Sequence, residues 1–400
     1  MRISRHVAAS LLAAGVITAP PAGAQDAPAQ APALNPWQWH IDANAFFGVN
    51  HQDRKFRDFT AWESQNWVMG MGQRPIGRGT LTLSSMLSLE ALTLKDIGSP
   101  QVFQTGETFG RPPSALIDYQ HPHDLIMALG GEYRRPVGRM TLIAGVDLVG
   151  PPTIGPQAFM HRPSAQDNPQ APLSHHHMDS SHITPGVVRG GLQAGAWRAE
   201  ASVFHGREPD QDRLDIDFGA LDSSAVRLSW NRGQWSAQIS EAALTQPELI
   251  TPYDARRLTA SVAYTDADRR FAWLGAFGQN REIHGNLEAY LFEATVRPSP
   301  SNAFYTRVES VAKDILDNGF HPRGAFHRHR QSQVGALTLG YVRDVVTMQA
   351  GTFGAGADIT GYAVPANLRE SYGSPLSFHV FVRYRAPIAS SSAGTPVHVH

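Results

Sequence analysis

The sequence predicts an all-β fold: a single antiparallel transmembrane β-barrel of about 16 strands, with long outer loops and short periplasmic turns. Three observations predict it. Apolar and polar residues alternate with period 2 along most of the chain, as in strands whose two faces meet different surroundings. Past residue 25 no apolar run approaches the about 18 residues that a membrane-spanning helix needs. Short and long connections between the alternating segments follow one another in turn, which puts turns at one rim and loops at the other.

The elements follow in chain order. Arg2 and Arg5 precede an apolar stretch from Val7 to Thr18, and Ala22-Gly23-Ala24 fits a small-x-small cleavage site. Residues 1–24 therefore read as a signal peptide. Residues 25–39, rich in Ala and Pro, read as a disordered periplasmic lead, 40–386 as the barrel and 387–400 as a polar tail. Strands are expected at about 40–49, 64–73, 79–94, 125–135, 138–149, 186–195, 197–206, 223–231, 233–243, 256–265, 269–279, 286–297, 302–313, 333–343, 347–357 and 376–386. Val226, Leu228 and Trp230 alternate with Arg227, Ser229 and Asn231 in one of these. Long connections are expected near 50–63, 95–124, 150–185, 207–222, 244–255, 280–285, 314–332 and 358–375. Tyr133, Trp197, Trp230, Trp235, Tyr264, Phe271, Trp273, Phe304 and Tyr341 all fall near short turns, where an interfacial aromatic girdle belongs.

Composition narrows the function. The 400 residues include no Cys, so disulfides, thiolate metal sites and Cys nucleophiles are excluded. A formal net charge of −1 argues against a nucleic-acid partner. The signal peptide, strand period and loop asymmetry over residues 40–386 resemble the Gram-negative outer-membrane β-barrels of the porin class. That resemblance implies an outer-membrane location, lipid and the barrel-assembly machinery as partners, and small solutes or metal ions as cargo. Many such barrels end on an aromatic residue that the insertion machinery reads; here a polar tail follows Tyr384.

The inward face of the strands carries Arg189, Arg198, Glu200, Arg227, Arg257, Arg307, Glu309 and Arg383. A charge on the lipid face costs about 2–4 kcal/mol near the midplane, so these must line the lumen. Arg predominates, which predicts a polar channel with weak anion preference; a closed, salt-bridged interior is the alternative.

The chain has 18 His, and they cluster in the long connections. One group is His121-Pro122-His123-Asp124; a second is Met160-His161 with His175-His176-His177-Met178-Asp179 and His182; a third is His321 with His327 and His329. Imidazole, thioether and carboxylate together suit copper, and imidazole alone also suits zinc. The 95–124 and 150–185 loops are expected to meet, with His121, His123, His175, His177 and His182 as ligands and Asp124 orienting an imidazole. The bland reading is that exposed loops tolerate His freely. Thr105–Phe109, Asp118–Leu125 and His182–Val187 are similar to uncharacterised outer-membrane barrels associated with heavy-metal, especially copper, resistance. The resemblance implies metal handling and assigns no mechanism.

Enzyme chemistry has little support. Asp179, Ser180, Ser181 and His182 supply the residue types of a barrel hydrolase, but a triad is defined in space. No G-x-S-x-G, P-loop or H-E-x-x-H occurs. No catalytic residue is therefore assigned. A secreted soluble β-sandwich is the remaining architectural alternative.

Overall fold

The computed structural model describes residues 37–55, 57–94, 97–110, 113–249, 253–283, 285–316 and 330–387. The expected signal peptide, polar tail and third His group, and His284, lie outside these residues, as does most of the lead.

The strands are β1 (Gln38–Arg54), β2 (Arg57–Glu63), β3 (Asn66–Ile76), β4 (Gly79–Leu87), β5 (Ser99–Phe109), β6 (Ser114–Gln120), β7 (Ile126–Val137), β8 (Met140–Gly150), β9 (Thr184–Ala194) and β10 (Trp197–Phe204). They continue as β11 (Ser223–Arg232), β12 (Trp235–Leu244), β13 (Ala255–Thr265), β14 (Phe271–Glu282), β15 (Gly285–Ser299), β16 (Asn302–Lys313), β17 (Ser332–Met348), β18 (Gly351–Ala363) and β19 (Leu376–Arg385). Short helices α1 (Glu90–Thr93), α2 (His175–Met178) and α3 (Arg369–Tyr372) lie in the loops.

Each wall strand pairs antiparallel with its neighbours, and β1 closes the ring on β19 from Asn44↔Arg385 to Asp53↔Leu376. β2 and β3 are two halves of one stave: β1 pairs with β3 from Gln38↔Gln73 to Ala45↔Asn66, then with β2 from Gly48↔Glu63 to Arg54↔Arg57. Counting that pair once, and leaving out the separate β5–β6 hairpin, the barrel has 16 staves. The side-chain period makes the wall two-faced. On β10, Trp197, Ala199, Ala201 and Val203 are exposed, while Arg198, Glu200, Ser202 and Phe204 are buried. A closed ring leaves no unpaired edge, and its apolar exterior can be solvated only by lipid. Both findings disfavour the soluble sandwich. Trp235 packs against Tyr264 and Trp273 with ring centroids at 5.0 and 5.8 Å, and Phe304 against Tyr341 at 4.8 Å, all at the short-turn rim.

Three boundaries differ from expectation. The connection expected at 50–63 shrinks to residues 55–56, because β1 and β2 continue beyond the apolar belt as a hairpin. The strand expected through 94 stops at Leu87, and α1 follows. β14 and β15 are joined through residues 283–284 alone.

Two outer connections turn inward. The β5–β6 hairpin packs on the upper part of β1, where Asn50 Nδ2 donates to Pro100 O at 2.8 Å and Val102 N donates to Gln52 Oε1 at 3.1 Å. The 151–183 loop runs along the inner wall at β15 and β16 and reaches β1, where Asn44 Nδ2 donates to Gln166 O at 3.0 Å. Ser174 N and Oγ donate to Glu309 Oε1 (3.0 and 2.9 Å), Thr295 Oγ1 donates to Ser164 O (3.0 Å), and Arg307 Nη1 donates to Gln170 O (2.8 Å). Apolar Val102, Phe103, Leu173 and Met178 join wall residues Leu291 and Val311 in one core. The outer half of the lumen is thus filled with chain. A cavity of about 590 Å³ remains on the turn side, beside β3, β4 and β7–β11.

Candidate functional site

The eight lumen residues singled out above all face inward, and they are held in ion pairs and hydrogen bonds, as the closed, salt-bridged alternative expects. Arg189 pairs with Asp147 and with Glu132 at 3.4 Å. Arg198 bridges Glu200 (2.5 Å) and Glu132 (3.3 Å), and Arg227 reaches Glu200 at 3.0 Å. Arg257 donates to Asn280 Oδ1 (2.9 Å), Ser180 Oγ (3.0 Å) and Ser181 Oγ (3.1 Å). Arg307 lies 3.7 Å from Glu293, and Arg383 pairs with Asp167 and Asp344. A buried charge is tolerated only when paired, which is why the carboxylates were recruited from the opposing loop and neighbouring strands. The interior is a salt-bridged network, and the weak anion preference inferred from the Arg excess does not follow.

The two inward connections meet at the histidines. His121 and His123 follow β6; His175 and His176 lie on α2, and His182 ends the plug loop. Ring centroids are 6.2 Å apart for His121–His123, 6.0 Å for His121–His176, 5.4 Å for His175–His176, and 5.2 Å for both His123–His182 and His175–His182. Successive helical residues diverge by about 100°, so α2 presents His175 and His176 to the cluster and turns His177 away. The carbonyl of His177 lies against Gly278 on β14, where an added Cβ would come within 2.4 Å of it. Met178 is likewise core, not cluster.

Three of the rings are oriented by a partner at Nδ1. Glu90 Oε2 meets His123 Nδ1 at 2.7 Å, Asp179 Oδ1 meets His175 Nδ1 at 2.8 Å, and the Asp179 carbonyl accepts from His182 Nδ1 at 2.9 Å. Nε2 of His123 and of His182 are buried with no hydrogen-bond partner. His121 Nε2 contacts Glu107, and donor atoms of Glu107, His121 and His176 lie within 4.8 Å of one another. Glu208 Oε2 approaches His176 Nδ1 at 3.4 Å. Burial, reinforced by His175 and His123, pushes His182 well below the usual imidazole range; burial and then Arg213 do the same to His121. Burial also opposes charge on His123, yet Glu90 outweighs it and raises the pKa.

Asp124 does not orient an imidazole, contrary to expectation: it accepts from Arg213 Nη1 at 3.2 Å, and Glu90 takes the role at His123. Met160 packs in an apolar cluster with Phe159 beside the ring of His123. His161 stands apart, its ring 4.6 Å from Trp67 and facing the cavity. Ser180 donates to Glu208, and His182 Nδ1 is engaged by the Asp179 carbonyl, so no serine–histidine pair forms here. Sequence reasoning missed Glu90, Glu107, Glu208 and Arg162. They are dispersed along the chain; Glu107 figured only as part of the Thr105–Phe109 stretch, and the other three carry no local motif.

The barrel is similar to solved structures. OmpF of Salmonella typhi in complex with daunomycin aligns with a TM-score of 0.53 at 8% identity, covering 86% of this chain and 97% of that one. An anion-selective porin from Comamonas acidovorans aligns at 0.48 and 12% identity, covering 87% and 100%. An OmpT loop-deletion mutant of Vibrio cholerae aligns at 0.48 and 8%, covering 87% and 99%. The likeness shows the fold, a closed antiparallel β-barrel such as that of OmpF. No protein-family model matches the sequence, and no curated protein sequence matches it.

Proposed function

We propose that this barrel is an outer-membrane channel for small solutes whose lumen is narrowed by the 151–183 loop, and that it binds copper or zinc at the histidines of the constriction. One observation carries the metal reading. The rings of His123 and His182 meet edge-on with centroids 5.2 Å apart, both Nδ1 atoms hydrogen-bonded and both Nε2 atoms buried with no hydrogen-bond partner. A metal-ligating histidine has this arrangement, in which the second nitrogen donates to a carboxylate or carbonyl that fixes the tautomer. His175, held by Asp179, and the Glu107, His121 and His176 group supply further N and O donors, a set that suits Cu²⁺ or Zn²⁺. The porin-like fold supports the channel reading.

The test is calorimetric titration of the refolded full chain with Cu²⁺ and Zn²⁺. It runs beside a His123→Ala/His175→Ala/His182→Ala variant and a His177→Ala control. Micromolar or tighter binding, lost in the triple variant and retained in the control, is expected. Binding that the triple variant keeps overturns the site. Planar-bilayer conductance, blocked by the same metal, tests the channel.

A further inference from the structure

The turn-side cavity has a wall that the reading above does not use. Inward positions of β3 and β4 are polar near the turn, with Gln73, Thr80, Thr82 and Ser84. Towards the histidines the same face changes to Met71, Met69 and Met86, joined by Met127 of β7. Met69 is directly opposite Met86 across the β3–β4 ladder, and Met71 is the next inward residue along β3. Met127 enters at the irregularity where the β4–β7 register shifts between Met86 and Leu87. Opposed residues place their Cβ atoms about 4.5–5.5 Å apart, so four flexible thioethers share one patch. They account for four of the nine methionines in the chain.

Methionine often fills irregular core space. Met69, Met86 and Met127 pack in the apolar cluster that holds Phe159 and Met160, and together with Met71 they also border the cavity of about 590 Å³. His161 faces the same cavity, fixed by its T-shaped contact with Trp67, two residues before Met69 on β3. Thioether sulfur is a soft ligand and selects monovalent copper over harder divalent ions.

We propose that Met69, Met71, Met86 and Met127, with His161, form a binding site for a soft monovalent cation, Cu⁺ or its redox-inert analogue Ag⁺. The site differs from the imidazole cluster in its donor atoms, although His182 borders the same cavity, and it stands whether or not that cluster binds Cu²⁺ or Zn²⁺.

The experiment titrates the refolded full chain with Ag⁺ and, separately, Zn²⁺. A Met69→Leu/Met71→Leu/Met86→Leu/Met127→Leu variant runs beside the His123→Ala/His175→Ala/His182→Ala variant. Met→Leu conserves volume and leaves the barrel folded, checked by heat-modifiable migration. Loss of one outer partner of a metal site costs about 10–100-fold in affinity, so loss of four donors is expected to weaken Ag⁺ binding by more than about 100-fold. Zn²⁺ binding should not change in that variant, and Ag⁺ binding should survive in the histidine variant. X-ray absorption of the Ag⁺-loaded wild type should show sulfur neighbours, a readout that needs no variant. Absence of Ag⁺ binding, Ag⁺ binding indifferent to the leucines, or a shell of nitrogen and oxygen alone overturns the proposal.

Discussion

Arg162 connects the plug to the wall and to the histidines, and its replacement by Met makes the most informative perturbation. Its guanidinium donates from Nε to Glu293 Oε1 at 2.7 Å, from Nη2 to Glu293 Oε2 at 3.2 Å, and from Nη1 to Asp179 Oδ2 at 2.6 Å. All three groups are buried. Arg162→Met keeps the stem's apolar contacts and removes the charge. Glu293 then retains Ser164 Oγ at 2.8 Å and Arg307 at 3.7 Å, and Asp179 retains His175. Breaking a buried pair from one side costs about 3–5 kcal/mol, because the remaining charge is left without compensation. At 1.4 kcal/mol per decade this raises the population of the undocked loop about 10²–10³·⁵-fold. Hydrogen exchange of amides in 159–178 should accelerate by that factor, and planar-bilayer recordings should show larger or more frequent openings. Heat-modifiable migration confirms that the barrel remains closed. Unchanged exchange and unchanged conductance in a folded Arg162→Met barrel would refute the claim that this ion pair holds the plug.

Further outcomes are expected. Gly106 sits at φ +130°, and a Cβ there would come within 2.4–2.6 Å of the His176 ring. Gly106→Ala should therefore displace that ring and weaken Cu²⁺ or Zn²⁺ binding, whereas Gly138→Ala, with open space around it, should not alter affinity. His161 is held at a pKa of about 4 by burial and by His123, against an ordinary 6.5. Its unfolded or undocked form takes up a proton first, so its contribution is complete above about pH 6.5 and is lost as pH falls through about 4. At 1.36 kcal/mol per unit, discounted because the ring borders the cavity, this contributes on the order of 2 kcal/mol. Exchange protection of 159–178 should thus fall between pH 7 and pH 4, and His161→Phe should flatten that dependence. An identical pH slope in the variant would remove His161 from the account.

The barrel was legible because a lipid face and a lumen face impose period 2, and because short and long connections alternate between the segments, which a sandwich does not require. What escaped notice is where that contrast fades. His51 to Phe59 is charged on both faces and reads as loop, yet β1 and β2 run through it as a hairpin beyond the lipid. The β5–β6 hairpin carries Gln101, Gln104 and Gln120, which look like surface residues. All three are buried, because the inside of a barrel offers polar partners that a globular core lacks. The histidines were visible as local runs, and helix geometry then divided the triplet. Glu90, Glu107 and Glu208 became partners only through loop folding. Met69, Met71, Met86 and Met127 lie on three strands and converge only when the ladders are in register.

Metal binding at the proposed histidine site would share residues with docking of the 151–183 loop, and the two would then be coupled. His123 belongs to the connection that follows β6, and Asp179 orients His175 and His182 from the loop that Arg162 anchors. An ion held between His123 and His182 would join the two connections. Whatever docking contributes to metal affinity, metal must return to docking by the same factor. A metal at about 100 times its dissociation constant stabilises the docked state by about 2.7 kcal/mol. That is half or more of the 3–5 kcal/mol removed by Arg162→Met. Saturating Zn²⁺ should therefore recover much of the lost exchange protection in 159–178, and Arg162→Met should bind Zn²⁺ more weakly by the factor through which metal slows exchange. If zinc binds both proteins equally and leaves exchange unaltered, the ion sits outside this junction and the histidines and the plug act independently.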